Sequence, residues 1–296
     1  LVATLMAPYL IKFGCYTVPD FIGTRYGGNL PRFLAVVVLV LASFTYVTAQ
    51  INATGTIASR ALQIPFEVGV WFGLLGILLC SMLGGMRAVT WTQVAQYIVL
   101  IIAYLIPVFW ISNNLGVGIF PHISYGSAVS RITELEALHG LGAAATESFA
   151  GLKILSVPHA LIPEGGAAAW KFISLAICMM LGTASLPHIL MRYFTTPSVK
   201  SARKSVAFSL LFIFILYFSA PALATLSKLA MLDPELATGI IGKSFAEVSS
   251  ISWIQNWSNV GFLAISDSNG DGILQINEFF LRPDVVVLAT PEIAGL

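Results

Sequence analysis

FLAVVVLVLASFTYVTAQINATGTIAS, residues 33–59, carries no charged side chain from end to end. A helix rises about 1.5 Å per residue, so roughly 20 such residues cross a hydrocarbon core about 30 Å thick. The stretch is long enough to do so. A single apolar run could still be a buried core helix, but four more follow at 68–83, 91–111, 172–191 and 206–226, the second of the five being short. Residues 1–10 read as the tail of another span. Across the chain 57% of residues are hydrophobic and 10% charged, with mean hydropathy +0.86, where a soluble protein carries about 25% charged residues. The fold class expected is therefore all-α, a polytopic membrane protein. Leu1 lies inside an apolar run, and the chain reads as a fragment cut at both ends.

Lys and Arg residues collect at alternate junctions. Lys12, Arg25, Arg32, Arg87, Arg192, Lys200, Arg203 and Lys204 stand on one side with a single acid, Asp20. The acids gather at the other junctions and in the tail, among them Glu134, Glu136, Asp233, Glu235 and Asp284. Basic loops stay cytoplasmic, so the polar loop 112–171 and the segment 231–296 are expected outside. Two regions follow: a membrane core over 1–230 and an extracellular insertion over 231–296. The three cysteines, Cys15, Cys80 and Cys178, imply no disulfide framework.

Polar groups inside spans are functional candidates, because hydrocarbon offers them no partner. Gln50, Asn52 and Thr54 lie in the first full span among Ala49, Ala53, Gly55 and Ala58. They could line a pathway or glue packed helices together, and the sequence does not separate the two. The fourth full span ends in LGTASLPHILMRYFTTPS, where Gly182 and Pro187 loosen the backbone and Thr183, Ser185 and His188 bring polar side chains. A broken helix is expected there, of the kind that holds substrate in secondary transporters. His188 is either a packed histidine or a proton carrier, and Arg192 reads as a boundary residue that snorkels.

DSNGDGILQINE, residues 267–278, matches a twelve-residue calcium loop. Oxygen donors stand at positions one, three and five (Asp267, Asn269, Asp271), Gly272 allows the turn, Ile273 offers a carbonyl, Leu274 is the usual apolar residue, and Glu278 closes the shell. The alternative is an Asp/Asn/Gly-rich surface turn. A single extracellular site of about 0.1–1 mM affinity would be structural rather than a switch.

GGMRAVTWTQVAQ, residues 84–96, reads locally as a tight turn and a helix start, with Thr90 as a possible cap. It also resembles the signature of the sodium:solute symporter family, which has a Gly pair, an Ala-Val pair, Thr-Asp and a later Gln. CYTVPDFIGTRYGG, residues 15–28, is similar to the family's loop between core helices two and three. Residues 182–206 resemble core helix six and its following loop, most closely in the acetate and glycolate permease branch. The segment carrying the calcium loop looks like an insertion between helices seven and eight in a large bacterial subgroup.

That resemblance implies a leucine-transporter-type inverted-repeat fold, here running from the end of core helix two through core helix seven, in a bacterial inner membrane. It implies symport of a small solute, such as acetate or another short monocarboxylate, with sodium as the coupling ion and no cofactor. The principal sodium site would lie on core helices one and eight. The family's signature Asp is Gln93 here, an amide that offers an oxygen without a charge. Pathway candidates are Gln50, Asn52, Gln93, Gly182, Thr183, Ser185 and His188. The other reading is a membrane-embedded sensor with an extracellular calcium module. An enzyme is not expected, since the spans hold no acid pair, metal cluster or activated nucleophile.

Overall fold

The computed structural model describes residues 7–118, 120–138, 148–149, 152–153, 166–194 and 196–296. Residues 1–6 and most of 139–165, which carry the start of the N-terminal tail and much of the polar loop, lie outside the described residues. The helices run α1 (Ala7–Phe13), α2 (Val18–Tyr26), α3 (Asn29–Leu62), α4 (Phe66–Asn114), α5 (Pro121–Leu138), α6 (Gly166–Ser185), α7 (Pro187–Phe194), α8 (Val199–Leu232), α9 (Phe245–Ser250), α10 (Ser252–Asn259) and α11 (Val286–Ile293). Strands β1 (Ser148–Phe149) and β2 (Leu152–Lys153) pair antiparallel, as do β3 (Leu263–Ile265) and β4 (Phe279–Leu281).

Among the described residues, four helices are long and apolar enough to cross a membrane: Asn29–Leu62, Phe66–Gly85, Arg87–Asn114 and Val199–Leu232. At 34 residues each, α3 and α8 measure about 51 Å at 1.5 Å per residue, longer than the hydrocarbon core. The second and third expected spans are two halves of α4, separated at Gly85, whose φ of 56° and ψ of −165° suit a residue without a Cβ. Helix resumes at Arg87, so Thr90 lies within it and does not cap it. The fourth expected span, 172–191, is two helices, α6 and α7, broken at Leu186. Part of the loop 112–171 is itself helical, as α5.

The chain forms two compact units, Leu1–Ile51 with Ile162–Phe214 and Asn52–Leu161 with Ile215–Leu296. In the first, Thr17 caps α2 by accepting the Asp20 amide at 3.2 Å, and Asp20 pairs with Arg32 at 3.1 Å. Phe13 meets Phe21 edge to face, with ring centroids 4.9 Å apart.

In the second unit, the end of α3 packs on the start of α4 through small residues. A Cβ on Gly69 would lie 2.9 Å from the Gly55 carbonyl and 3.1 Å from the Ser59 amide. A Cβ on Gly73 would meet the Thr54 methyl, and one on Gly55 would lie 2.6 Å from Val70 Cγ2. Backbones approach this closely only where side chains are missing. The turn between the helices is tied by Ser59 Oγ donating to the Ile64 carbonyl at 2.7 Å, with Gln63 at φ 52°.

One hydrophobic core runs from α4 (Val108, Ile111) and α5 (Ile132, Leu135) through α8 (Leu226, Leu232) into the C-terminal segment (Trp257, Phe279, Ile293). Residues 231–296 thus share a core with the helices before them. At its edge His122 Nε2 lies 2.7 Å from Ser219 Oγ, and the imidazole stacks on Phe218 at 5.4 Å.

Candidate functional site

The break between α6 and α7 follows from Pro187. It has no N–H to give the Thr183 carbonyl four residues back, so one bond of a continuous helix is missing. Helix resumes with Leu190 donating to the Leu186 carbonyl at 3.2 Å. Hydroxyls on the preceding turn take up neighbouring carbonyls: Thr183 Oγ1 donates to Met179 O at 2.7 Å and Ser185 Oγ to Gly182 O at 3.0 Å. Such bonds satisfy polar groups without water, which is how a membrane helix tolerates an interruption.

Gly182, Thr183 and Ser185 are exposed and His188 is half-buried. Ser185 opens on a groove of about 440 Å³ lined with apolar side chains from α2, α3 and α7, including Val18, Ile22, Leu34, Val38 and Leu190. His188 lies against Tyr46 of α3, with ring centroids 4.3 Å apart and planes tilted by 32°. Tyr46 stands one turn before Gln50 on the same helix, a pair at i and i+4 on one face. Sequence reasoning passed over Tyr46; the signal was an aromatic one turn from an intramembrane amide.

The remaining candidates are distributed between the units. Gln50, Gly182, Thr183, Ser185 and His188 belong to the first, Asn52 and Gln93 to the second. Gln50, Asn52 and Gln93 are all exposed. The Asn52 carbonyl accepts the Thr56 hydroxyl at 3.1 Å, and Gln93 lies in α4 beyond the Gly85 kink. The neighbours Gly55 and Ser59 are instead buried in the α3–α4 contact. Of the two readings of this stretch, packing describes them.

The loop 267–278 is closed by its own hydrogen bonds. Asp267 accepts from the Gly270 and Gly272 amides at 2.7 and 3.1 Å, and Asn269 Oδ1 from the Asp271 amide at 3.0 Å. Asp271 accepts from the Ile273 amide at 2.8 Å and from the Gln275 side chain at 2.8 Å. The Ile273 amide, foremost, holds the Asp271 carboxyl below its ordinary pKa. Glu278, 1% exposed, takes the Ser268 and Gln275 amides at 2.9 and 3.0 Å. Leu274 is fully buried.

Calcium is not supported by this arrangement. Among the described residues no three His, Cys, Asp or Glu side chains group as they would around a metal ion. The side-chain oxygens that would form the shell also accept amide hydrogen bonds within the loop. Asp267, Asn269 and Asp271 are exposed while Glu278 is buried.

Several long apolar helices, together with one interrupted at Leu186, are those of a multi-pass membrane protein. Residues 1–251 match the sodium:solute symporter family, and the chain belongs to that family, which is one of transporters rather than enzymes. The chain is 38% identical to an uncharacterized symporter of Cupriavidus necator over 383 residues, covering 100% of this chain and 55% of that protein. It is 31% identical to a monocarboxylic acid transporter of Corynebacterium glutamicum over 217 residues, covering 72% of this chain and 38% of that protein. The chain thus spans about half the length, or less, of these curated relatives. No solved structure matches it.

Proposed function

We infer that this chain is part of a secondary active transporter that couples sodium entry to uptake of a small solute, a short monocarboxylate such as acetate. Membership of the sodium:solute symporter family carries the reading. The likeness to a monocarboxylic acid transporter supports the solute class. The protein would work by alternating access in a leucine-transporter-type inverted-repeat fold, in a bacterial inner membrane, with residues 231–296 on the extracytoplasmic face. Nothing in the substrate is made or broken.

The carboxylate would sit at the break after Ser185. The amide end of α7 has the sign to attract an anion, and Gln50, Thr183 and the Tyr46–His188 pair would bound it. Asn52 and Gln93 would serve the pathway or tune the ion site. The protein containing this chain, reconstituted in vesicles, is expected to take up labelled acetate when an inward sodium gradient is imposed and to stop when the gradient is collapsed. Gln50→Leu and Thr183→Leu are expected to abolish uptake while membrane insertion persists. Uptake absent under sodium and proton gradients alike would refute transport and leave the membrane-embedded sensor as the reading. Unchanged kinetics in both variants would remove those residues from the site.

A further inference from the structure

The C-terminal segment 231–296 is fastened to every long helix of its unit. At the end of α3, Arg60 Nη2 donates to both carboxylate oxygens of Glu292, at 2.9 and 3.0 Å, and its guanidinium lies 5.2 Å over the Trp257 ring. On α4, Trp110 Nε1 donates to the Ala294 carbonyl at 3.2 Å. On α5, Arg131 reaches Asp233 through Nε at 2.9 Å and Nη2 at 3.3 Å, and Glu235 at 3.3 Å. On α8, the buried Ser227 and Thr290 hydroxyls lie 3.1 Å apart, and the Thr238 hydroxyl donates to Ala230 O at 2.9 Å. Lys228 of α8 pairs with Glu136 of α5, both nearly buried.

A lid needs the opposite construction. Segments that swing open have few buried contacts and hinge at short linkers, whereas packed cores resist continuous deformation. Here the contacts are distributed over four helices, several are charge-assisted and geometrically specific, and the hydrophobic core is continuous beneath them. Swinging the segment would open that core and strand Arg60, Arg131 and Asp233 together.

We propose that residues 231–296 form a fixed cap that moves as one body with the adjoining parts of α3, α4, α5 and α8 through the transport cycle, so that access to the solute changes elsewhere. The proposal rests on the transport reading, because a cap matters only if helices move. Its test places spin labels at Asn114→Cys and Asn259→Cys, both exposed and outside the fastening contacts, in the whole protein with Cys15, Cys80 and Cys178 replaced by serine.

The label-to-label distance is expected to show no shift between sodium-free, sodium-loaded and sodium-plus-acetate vesicles. Bridging the two cysteines with a bifunctional thiol reagent is expected to cause no loss of uptake. A distance that shifts with either solute, or uptake lost on bridging, would overturn the cap. If the cysteine-replaced protein does not fold, hydrogen exchange on the unaltered protein decides: the Ile240, Leu274 and Arg282 amides should exchange equally slowly in all three states, and unequal rates would overturn the cap. Absence of uptake by the unmodified protein would instead refute the transport reading, and the distance and exchange measurements would still decide the cap.

Discussion

Gly69 and Gly76 lie two turns apart on the same helix, and replacing each by alanine should have unequal effects on stability. A Cβ on Gly69 would sit 2.9 Å from the Gly55 carbonyl oxygen and 3.1 Å from the Ser59 amide nitrogen. Both are backbone atoms of α3, so no side chain can rotate away and the helices must part. A Cβ on Gly76 has nothing within 4 Å. Each substitution gains the helix preference of alanine over glycine, about 1 kcal/mol. Only Gly69→Ala adds an overpacking cost, about 1–3 kcal/mol. The shared term cancels in the difference, leaving Gly69→Ala less stable than Gly76→Ala by about 1–3 kcal/mol. Unfolding of the purified proteins in the same mixed micelles, followed by tryptophan fluorescence, measures that difference. Equal stability of the two variants would mean that the α3–α4 contact is not formed through Gly69.

Further outcomes follow from the ion pairs and the loop. Lys228→Met or Glu136→Leu alone should cost about 3–5 kcal/mol, because each leaves a nearly buried charge without its partner, whereas the two together should recover most of the loss; thermal unfolding of the four proteins gives the coupling. The Arg131 guanidinium, by hydrogen bond, holds the Asp233 carboxyl below its ordinary pKa. A depressed carboxylate pKa gives stability that is present above the unfolded value, about 3.9, and is lost as pH falls through the folded value. Asp233→Asn should therefore flatten the acid limb of a stability-against-pH curve and change its slope little near neutrality. The loop 267–278 is closed by amide donors, so a calcium chelator should leave its resistance to proteolysis unchanged; loosening on chelation, reversed by added calcium, would restore calcium to the loop.

Much of the fold was legible because hydrocarbon imposes a simple rule on sequence. Runs of apolar residues long enough to cross it had to be helices, and four of the five full spans are helices of crossing length. The remaining one, 172–191, was legible as a break, since Pro187 has no backbone N–H to donate. The kink at Gly85 was likewise written in a glycine pair. Hidden was whatever depends on contact between distant positions. Helix α5 lies in a stretch read as loop because its apolar residues, such as Ile132 and Leu135, find partners only in α4, α8 and the C-terminal segment.

The polar candidates divide for the same reason. An intramembrane amide or small residue signals that something must satisfy it or approach it, and the signal is identical for a ligand and for a neighbouring helix. Gly55 and Ser59 are explained by α4 packed against them, while Tyr46, one turn before Gln50, lies against His188 of α7. The calcium pattern has two readings for a related reason. Asp267, Asn269 and Asp271 are residues that form Asx-type turns as readily as they bind metal, and amide donors two to five residues on take their oxygens here. Both oxygens of Glu278 accept backbone amides, from Ser268 and Gln275. The loop leads into β4, whose Phe279 and Leu281 are buried in the core shared with the long apolar helices.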